Sequence, residues 1–321
     1  MKEVFKKLLV NNFTINSYYG GFGNNLQQIA LGVMFSNLKN KNFYTKDHPL
    51  VSNFSVINNR FSNILSKYRF DSRFYHFENI NEKFTNSPET DKPLINEDMK
   101  FYNENFYETF QKFIEPNLNF KKKLYLDDDL LVIHIRSGDI FAKKKEASKS
   151  ELDNYAKLNN TKSFEDFSLD DNKNNIVGNY YYLQNPLVYY KELIDKYDQV
   201  ILVSSKPFNN PVINELKNFK NLKLLSSTLA EDFNILLNAK NLATSGVGTF
   251  AIAAALASKD LKNLYYSNIF FNHHLNPTMV KNVNHHMYRF NNYFDIGDEW
   301  NGSSEQINKL LSNKIEIFKN N

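Results

Sequence analysis

The sequence predicts an α/β fold built on a parallel, doubly wound sheet, and three observations carry that prediction. From Leu130 to Ser267, short apolar runs alternate with helix-like segments, the order expected when each strand crosses to the next through a helix. The apolar run Leu130-Leu131-Val132-Ile133 ends in the polar cluster His134-Ile135-Arg136-Ser137-Gly138-Asp139. A glycine loop, Gly20-Gly21-Phe22-Gly23-Asn24-Asn25, stands between a strand-like segment and a helix.

Taken along the chain, the strand-like segment is Phe13 to Tyr19. The helix after the glycine loop carries Leu26, Ile29, Ala30, Val33, Met34 and Leu38 on one face. A glycine loop feeding a helix N-terminus offers backbone N–H groups and the helix dipole to an anion, although glycines serve ligand-free turns equally well. The loop is not a dinucleotide fingerprint, because Leu26 occupies the third glycine position of G-x-G-x-x-G. Aromatic-rich segments follow, around Phe54 to Phe84 and Phe101 to Phe120, and their strand order is not legible.

The second half is plainer. Strands are expected at Leu130 to Ile135, Gln199 to Ser204, Leu222 to Leu225, Leu242 to Ser245 and Leu264 to Ser267. Helices are expected at Pro186 to Tyr197, Pro211 to Phe219, Leu229 to Ala239 and Phe250 to Ser258. Ligands of open α/β sheets bind at the carboxyl ends of the strands, which is where Arg136 falls. A guanidinium is a permanent charge with a planar fork and suits paired phosphate oxygens; the alternative is an Arg136–Asp139 pair bracing a turn. After the Leu242 strand, Ser245-Gly246-Val247-Gly248-Thr249 leads into a small, apolar helix. Ser245, Thr249 and the first-turn N–H groups suit a second phosphate, while tight crossover packing accounts for the glycines as well. Between residues 142 and 178 the pattern gives way to a polar, charge-mixed insertion, either a lid or acceptor-side loop or a surface insertion without a role.

Together these pieces resemble the fucosyltransferase superfamily that uses GDP-fucose, the α-1,2-, α-1,6- and protein O-fucosyltransferases. Gly20 to Asn24 is similar to the G-G-x-G-N signature of that family, and His134 to Asp139 to its H-x-R-x-G-D motif. Asp232, in Ala230-Glu231-Asp232-Phe233, and Ser245 to Phe250 match later motifs in order and spacing. The resemblance implies a GT-B-like architecture: two Rossmann-like doubly wound domains facing a cleft, residues 1–128 on the acceptor side and 129–321 holding the nucleotide sugar. It implies inverting transfer of fucose from GDP-fucose to a glycan hydroxyl, without a metal or other cofactor. Arg136 would hold the β-phosphate and stabilise departing GDP, and His134 and Asp232 would contact the base. Ser245, Gly246, Gly248 and Thr249 would meet the phosphates, and Gly21, Gly23 and Asn24 would line the cleft. Asp139 and Glu146 are the candidates for a general base. Many members carry a second Arg where this chain has Ser137, which leaves open another sugar nucleotide or a non-catalytic nucleotide- or glycan-binding protein.

Composition fits this picture. The 321 residues suffice for two domains, and 42% hydrophobic and 15% aromatic content supplies their cores. Net charge is only +4, and Lys121-Lys122-Lys123 and Lys143-Lys144-Lys145 read as solvated faces, so nucleic acid is not an expected partner. The absence of cysteine excludes disulfides, thiolate metal sites and a cysteine nucleophile. No apolar run approaches the roughly 20 residues of a membrane span. Met1 to Val10 lacks the apolar stretch of a signal peptide, so a cytoplasmic location is expected. Asp127-Asp128-Asp129 contains D-x-D but precedes its strand, the wrong end for a sheet-edge site, and reads as a solvated turn. The doublets His273-His274 and His285-His286 lack helical i, i+4 spacing for a metal. No G-x-S-x-G elbow supports a serine hydrolase.

Overall fold

The computed structural model describes residues 12–15, 18, 20–38, 40–45, 47–58, 67–69, 96–141, 184–270, 275–291, 300 and 302–320. In chain order its elements are β1 (Asn12–Thr14), α1 (Phe22–Leu38), β2 (Asn42–Tyr44), β3 (Ser55–Val56), β4 (Lys67–Arg69) and α2 (Asn96–Thr109). There follow β5 (Leu130–His134), α3 (Leu187–Ile194), β6 (Gln199–Val203), α4 (Pro211–Leu216), β7 (Leu222–Leu225) and α5 (Leu229–Leu237). The chain ends with β8 (Asn241–Ala243), α6 (Phe250–Ala257), β9 (Asn263–Ser267), β10 (Asn284–Asn291), α7 (Ser304–Leu310) and β11 (Glu316–Asn320).

The larger sheet has seven strands in the order β11-β10-β9-β8-β5-β6-β7. All neighbours pair in parallel except β10 with β11. Counting from β5, its six parallel strands run 3-2-1-4-5-6, so the direction of winding reverses between β5 and β8. All five residues of β5 are buried, as a central parallel strand requires. Their side chains divide by the two-residue period of a strand. Leu130 and Val132 join a core with Phe233 of α5 and the alanines of α6, while Leu131 and Ile133 join another with α3 and α4. Helices therefore cover both faces, the doubly wound arrangement that the alternating pattern predicts.

The N-terminal half carries a smaller sheet, β3-β2-β1-β4, with β1 parallel to β2 and β4 and β3 antiparallel to β2. Its first strand stops at Thr14, short of the expected Phe13 to Tyr19, because its pairing with both neighbours spans only three residues. The helix after the glycine loop departs from expectation too. One apolar face is predicted, yet Asn25, Gln27 and Gln28 are as buried as Leu26. The cause is its position: one core runs from Phe43 of β2 through α1 to α6 and on to Leu242 and Leu264, so α1 is enclosed on several sides.

Residues between the halves are bound to the larger sheet's helices. Asn234 of α5 and Asn238, which caps its end, exchange hydrogen bonds of 3.0–3.1 Å with the backbone of Lys122 and Leu124. Gln111, in a π-helical turn after α2, donates to the carbonyls of Leu256 and Ser258 at 2.8 and 3.0 Å, satisfying the end of α6. The nearly buried carboxylate of Glu115 pairs with Lys121 and Lys259 at 2.6 and 2.8 Å.

Candidate functional site at the switch point

His134 ends β5 on the same side of the sheet as Val132, facing α6. Its ring lies 5.3 Å from that of Phe250, and its Nδ1 is 3.4 Å from Ser245 Oγ. Burial, seconded by the Arg136 charge, pushes the imidazole down from 6.5 to about 3. The neutral imidazole is the form that this burial favours, with one ring nitrogen to donate and one to accept a hydrogen bond.

The turn after β5 is set by the loop after β6. The carbonyl of the half-buried Arg136 accepts from Asn210 Nδ2 at 3.0 Å. Ser137 is buried; its hydroxyl lies 2.8 Å from the Pro207 carbonyl and 2.9 Å from Asn209 Oδ1, and accepts from Asn210 N at 3.1 Å. Gly138 has φ +80°, a conformation that side chains with a Cβ rarely adopt. Asp139 lies in the 3-10 turn Gly138–Phe141, but its side chain is outside the described residues, as is the whole of Glu146. The Arg136–Asp139 ion pair therefore also falls outside them. So do the 142–178 insertion, Lys143 to Lys145 and His273-His274.

Across the switch point, Ser245 and Gly246 are buried at the carboxyl end of β8. The chain from Gln184 fastens this loop: Gln184 Nε2 donates to the Val247 carbonyl, and Asn185 donates to those of Thr244 and Ser245. Thr249, the N-cap residue of α6, makes no side-chain cap to that helix. Thr249 Oγ1 instead donates to Asn24 Oδ1 at 2.9 Å. A Cβ on Gly248 would meet Ser245 Oγ at 3.6 Å, an ordinary distance, so packing does not demand glycine there.

The glycine loop arrives at the same place. A Cβ on Gly23 would lie 2.6 Å from both the carbonyl carbon and Oγ1 of Thr249, so the first turn of α1 and the start of α6 touch only because Gly23 has none. Around Gly21 there is open space. Behind the loop, His48 accepts from Leu50 N at Nδ1 (3.0 Å), so its Nε2 carries the proton that it gives to Asn25 Oδ1 (3.2 Å). Burial lowers that imidazole to about 4.

Asp232 is in the first turn of α5, behind a capping box formed by Thr228 and Glu231. Its Oδ1 accepts from Ser227 N at 3.0 Å. Burial raises its pKa, against the Ser227 bond, and Glu231 adds to the rise. The neighbouring Phe233 ring meets Phe250 at 5.3 Å and Phe22 at 4.9 Å, which ties α5 to both loops.

The fold thus brings His134, Ser245, Thr249, Gly23 and Asn24 into one chain of contacts, with Arg136 leaving the same strand end. Asp232 makes its hydrogen bond within its own turn. Sequence reasoning misses Asn209, Asn210, Gln184, Asn185 and His48; pairs such as Asn209-Asn210 carry no motif in so asparagine-rich a chain. Asp128 pairs with Lys240 and Lys262 at the opposite edge of the sheet, in keeping with the solvated turn expected there. His285 and His286 lie in β10. His286 stacks on Tyr265 at 4.5 Å, and His285 Nε2 is 2.9 Å from the Val280 carbonyl. Among the described residues no three His, Asp or Glu side chains gather as a metal site, and no helix is long and apolar enough to cross a membrane.

No family model matches the chain. No curated protein matches it. Among solved structures it is similar to POFUT1 in complex with GDP, at 10% identity and a TM-score of 0.36 over 80% of this chain and 98% of that one. It is similar to POFUT1 in complex with GDP-fucose at 13% identity and a TM-score of 0.35, over 80% and 98%. It is also similar to NodZ α-1,6-fucosyltransferase soaked with GDP-fucose, at 10% identity and a TM-score of 0.33, over 96% and 99%.

Proposed function

We propose that this chain is a glycosyltransferase that moves fucose, with inversion, from GDP-fucose to a hydroxyl of a glycan acceptor. One observation carries the reading: Arg136, Ser245 and the start of α6, which Thr249 does not cap, share the carboxyl edge at the β5/β8 switch point, with Gly23 and Asn24 against them. The resemblance of the Gly20 to Asn24 and His134 to Asp139 motifs names the donor. In this reading residues 129–321 hold the nucleotide sugar and residues 1–128 face it across a cleft, in the GT-B manner.

The chemistry is chiefly a matter of charge. The acceptor oxygen bonds to the anomeric carbon as the bond to the β-phosphate oxygen breaks, and GDP leaves with the electron pair. Arg136 and the N–H groups opening α6 stabilise that negative charge without a metal, an electrostatic role commonly worth about 10²–10³ in rate. The His134 imidazole, held neutral, and the Asp232 side chain contact the base, while Ser245, Gly246, Gly248 and Thr249 surround the phosphates. The acceptor's proton passes to Asp139 or Glu146.

The test is turnover. With GDP-fucose and a glycan panel, GDP release is expected together with a fucosylated product of inverted anomeric configuration, unaffected by chelator. Arg136→Ala should slow release about 100-fold. Transfer from UDP-sugars alone would remove the fucose assignment. Nucleotide binding without turnover on any donor would make the chain a binding protein. A second sugar nucleotide has one observation in its favour: Ser137, in place of a second Arg, is buried and bonded to the loop after β6.

A further inference from the structure

The loop between β6 and α4 holds the Arg136 turn by side chains acting in both directions. Asn209 Oδ1 accepts from Gly138 N at 2.8 Å while its Nδ2 donates to Gly138 O at 3.0 Å, so one planar amide matches both polar groups of a single residue. Ser137 Oγ adds a contact to Asn209 Oδ1 at 2.9 Å. Asn210, fully buried, donates to the Arg136 carbonyl, and its Oδ1 caps α4 through Val212 N at 3.0 Å. The Arg136 backbone is thereby referred to a helix terminus in the core. Gly138, at φ +80°, lacks the side chain that would otherwise restrict the turn.

We propose that Asn209 is a positioning residue for Arg136: it fixes the Gly138 peptide, and through it the place where the guanidinium leaves the sheet edge. Ser137 belongs to the same clamp, which is why this position holds a small hydroxyl side chain rather than a second guanidinium. The inference rests on reading Arg136 as the phosphate-binding group. Asn209 is only half-buried and lies in a loop, so its substitution should leave the fold standing.

The experiment is a double-mutant cycle read by calorimetric titration with GDP, joined to amide hydrogen exchange at Gly138. Asn209→Ala should weaken GDP binding about tenfold, the scale of one hydrogen bond in a pre-organised site. Asn209→Asp keeps the acceptor for Gly138 N–H but sets a carboxylate oxygen where Nδ2 donated to Gly138 O, so it should recover little of that loss. On an Arg136→Ala background, Asn209→Ala should change affinity by less than about twofold. Gly138 exchange should speed at least tenfold in Asn209→Ala, with the β5 amides unchanged. An equal loss in both backgrounds, or unaltered Gly138 exchange, would overturn the positioning role. If Arg136→Ala weakens binding and Asn209→Ala does not, this inference alone fails. If the unmodified protein binds no GDP, the functional reading fails and takes the positioning role with it.

Discussion

The two ends of the β5–β8 strand pair treat charge in opposite ways. At the amino end, Asp128 pairs with Lys240 and Lys262 in solvent, and the two ammonium groups hold its carboxyl down to about 2. Those charges satisfy one another. At the carboxyl end the polar groups are buried, His134 is held neutral, and Thr249 makes no side-chain cap to α6. The lesson is that a cluster of charged residues identifies a site less well than polar groups enclosed by backbone yet not mutually neutralised. Asp127 to Asp129 contains the D-x-D pattern, yet it lies at the amino end of its strand and its Asp128 is already neutralised by two lysines.

Acid should expose the contrast most. His134 binds its proton in the unfolded chain near pH 6.5 but in the native state only near 3, so between those values the unfolded state holds more protons. Stability should be level above pH 6.5 and fall as pH drops through the window, by on the order of 5 kcal/mol over its full width. His48 contributes in the same direction down to about 4. Urea unfolding from pH 7.5 to 4 measures this, and His134→Asn should remove about half of the slope that the two histidines give. A slope that survives His134→Asn unchanged would place the cause elsewhere.

Steric crowding at the meeting of α1 and α6 comes next. Gly23→Val sets a Cβ 2.6 Å from Thr249 backbone and should cost about 1–3 kcal/mol in urea unfolding, with weaker nucleotide binding. Wild-type stability in that variant would mean the two helix starts need not touch. Thr249→Val removes the bond to Asn24 and should cost about 0.5–1.5 kcal/mol by the same assay. Smallest of all, Asp128→Asn should leave both melting temperature and nucleotide affinity unchanged, since exposed ion pairs contribute little. A loss of affinity there would revive the D-x-D motif as a ligand site.

How much of this was legible in the sequence depends on where hydrophobic burial sets the pattern. Leu130 to His134 and Asn263 to Ser267 announce themselves because central parallel strands need apolar residues on both faces. β10 does not: it lies beside the edge strand β11, only Tyr288 and Phe290 are buried among its described side chains, and its histidines read as a polar tail. The small sheet is equally silent, since strands of two or three residues show no period. Arg136 stands out because a charge at the end of an apolar run is chemically conspicuous. Asn209 does not, because its role arises from a loop 71 residues away from Gly138. Gly23 could be suspected from its loop, but that it faces Thr249 could not.

The most direct test is calorimetric titration with GDP, UDP and NAD, on the unmodified protein and on Arg136→Ala. A preference for GDP that largely disappears in the variant is expected, a loss of about 2–3 kcal/mol for one charge-assisted contact. Binding that favours UDP would keep a nucleotide site at this edge and remove the fucose assignment. No binding, or binding that Arg136→Ala leaves unchanged, would reduce the Arg136 turn to a structural element and contradict the account.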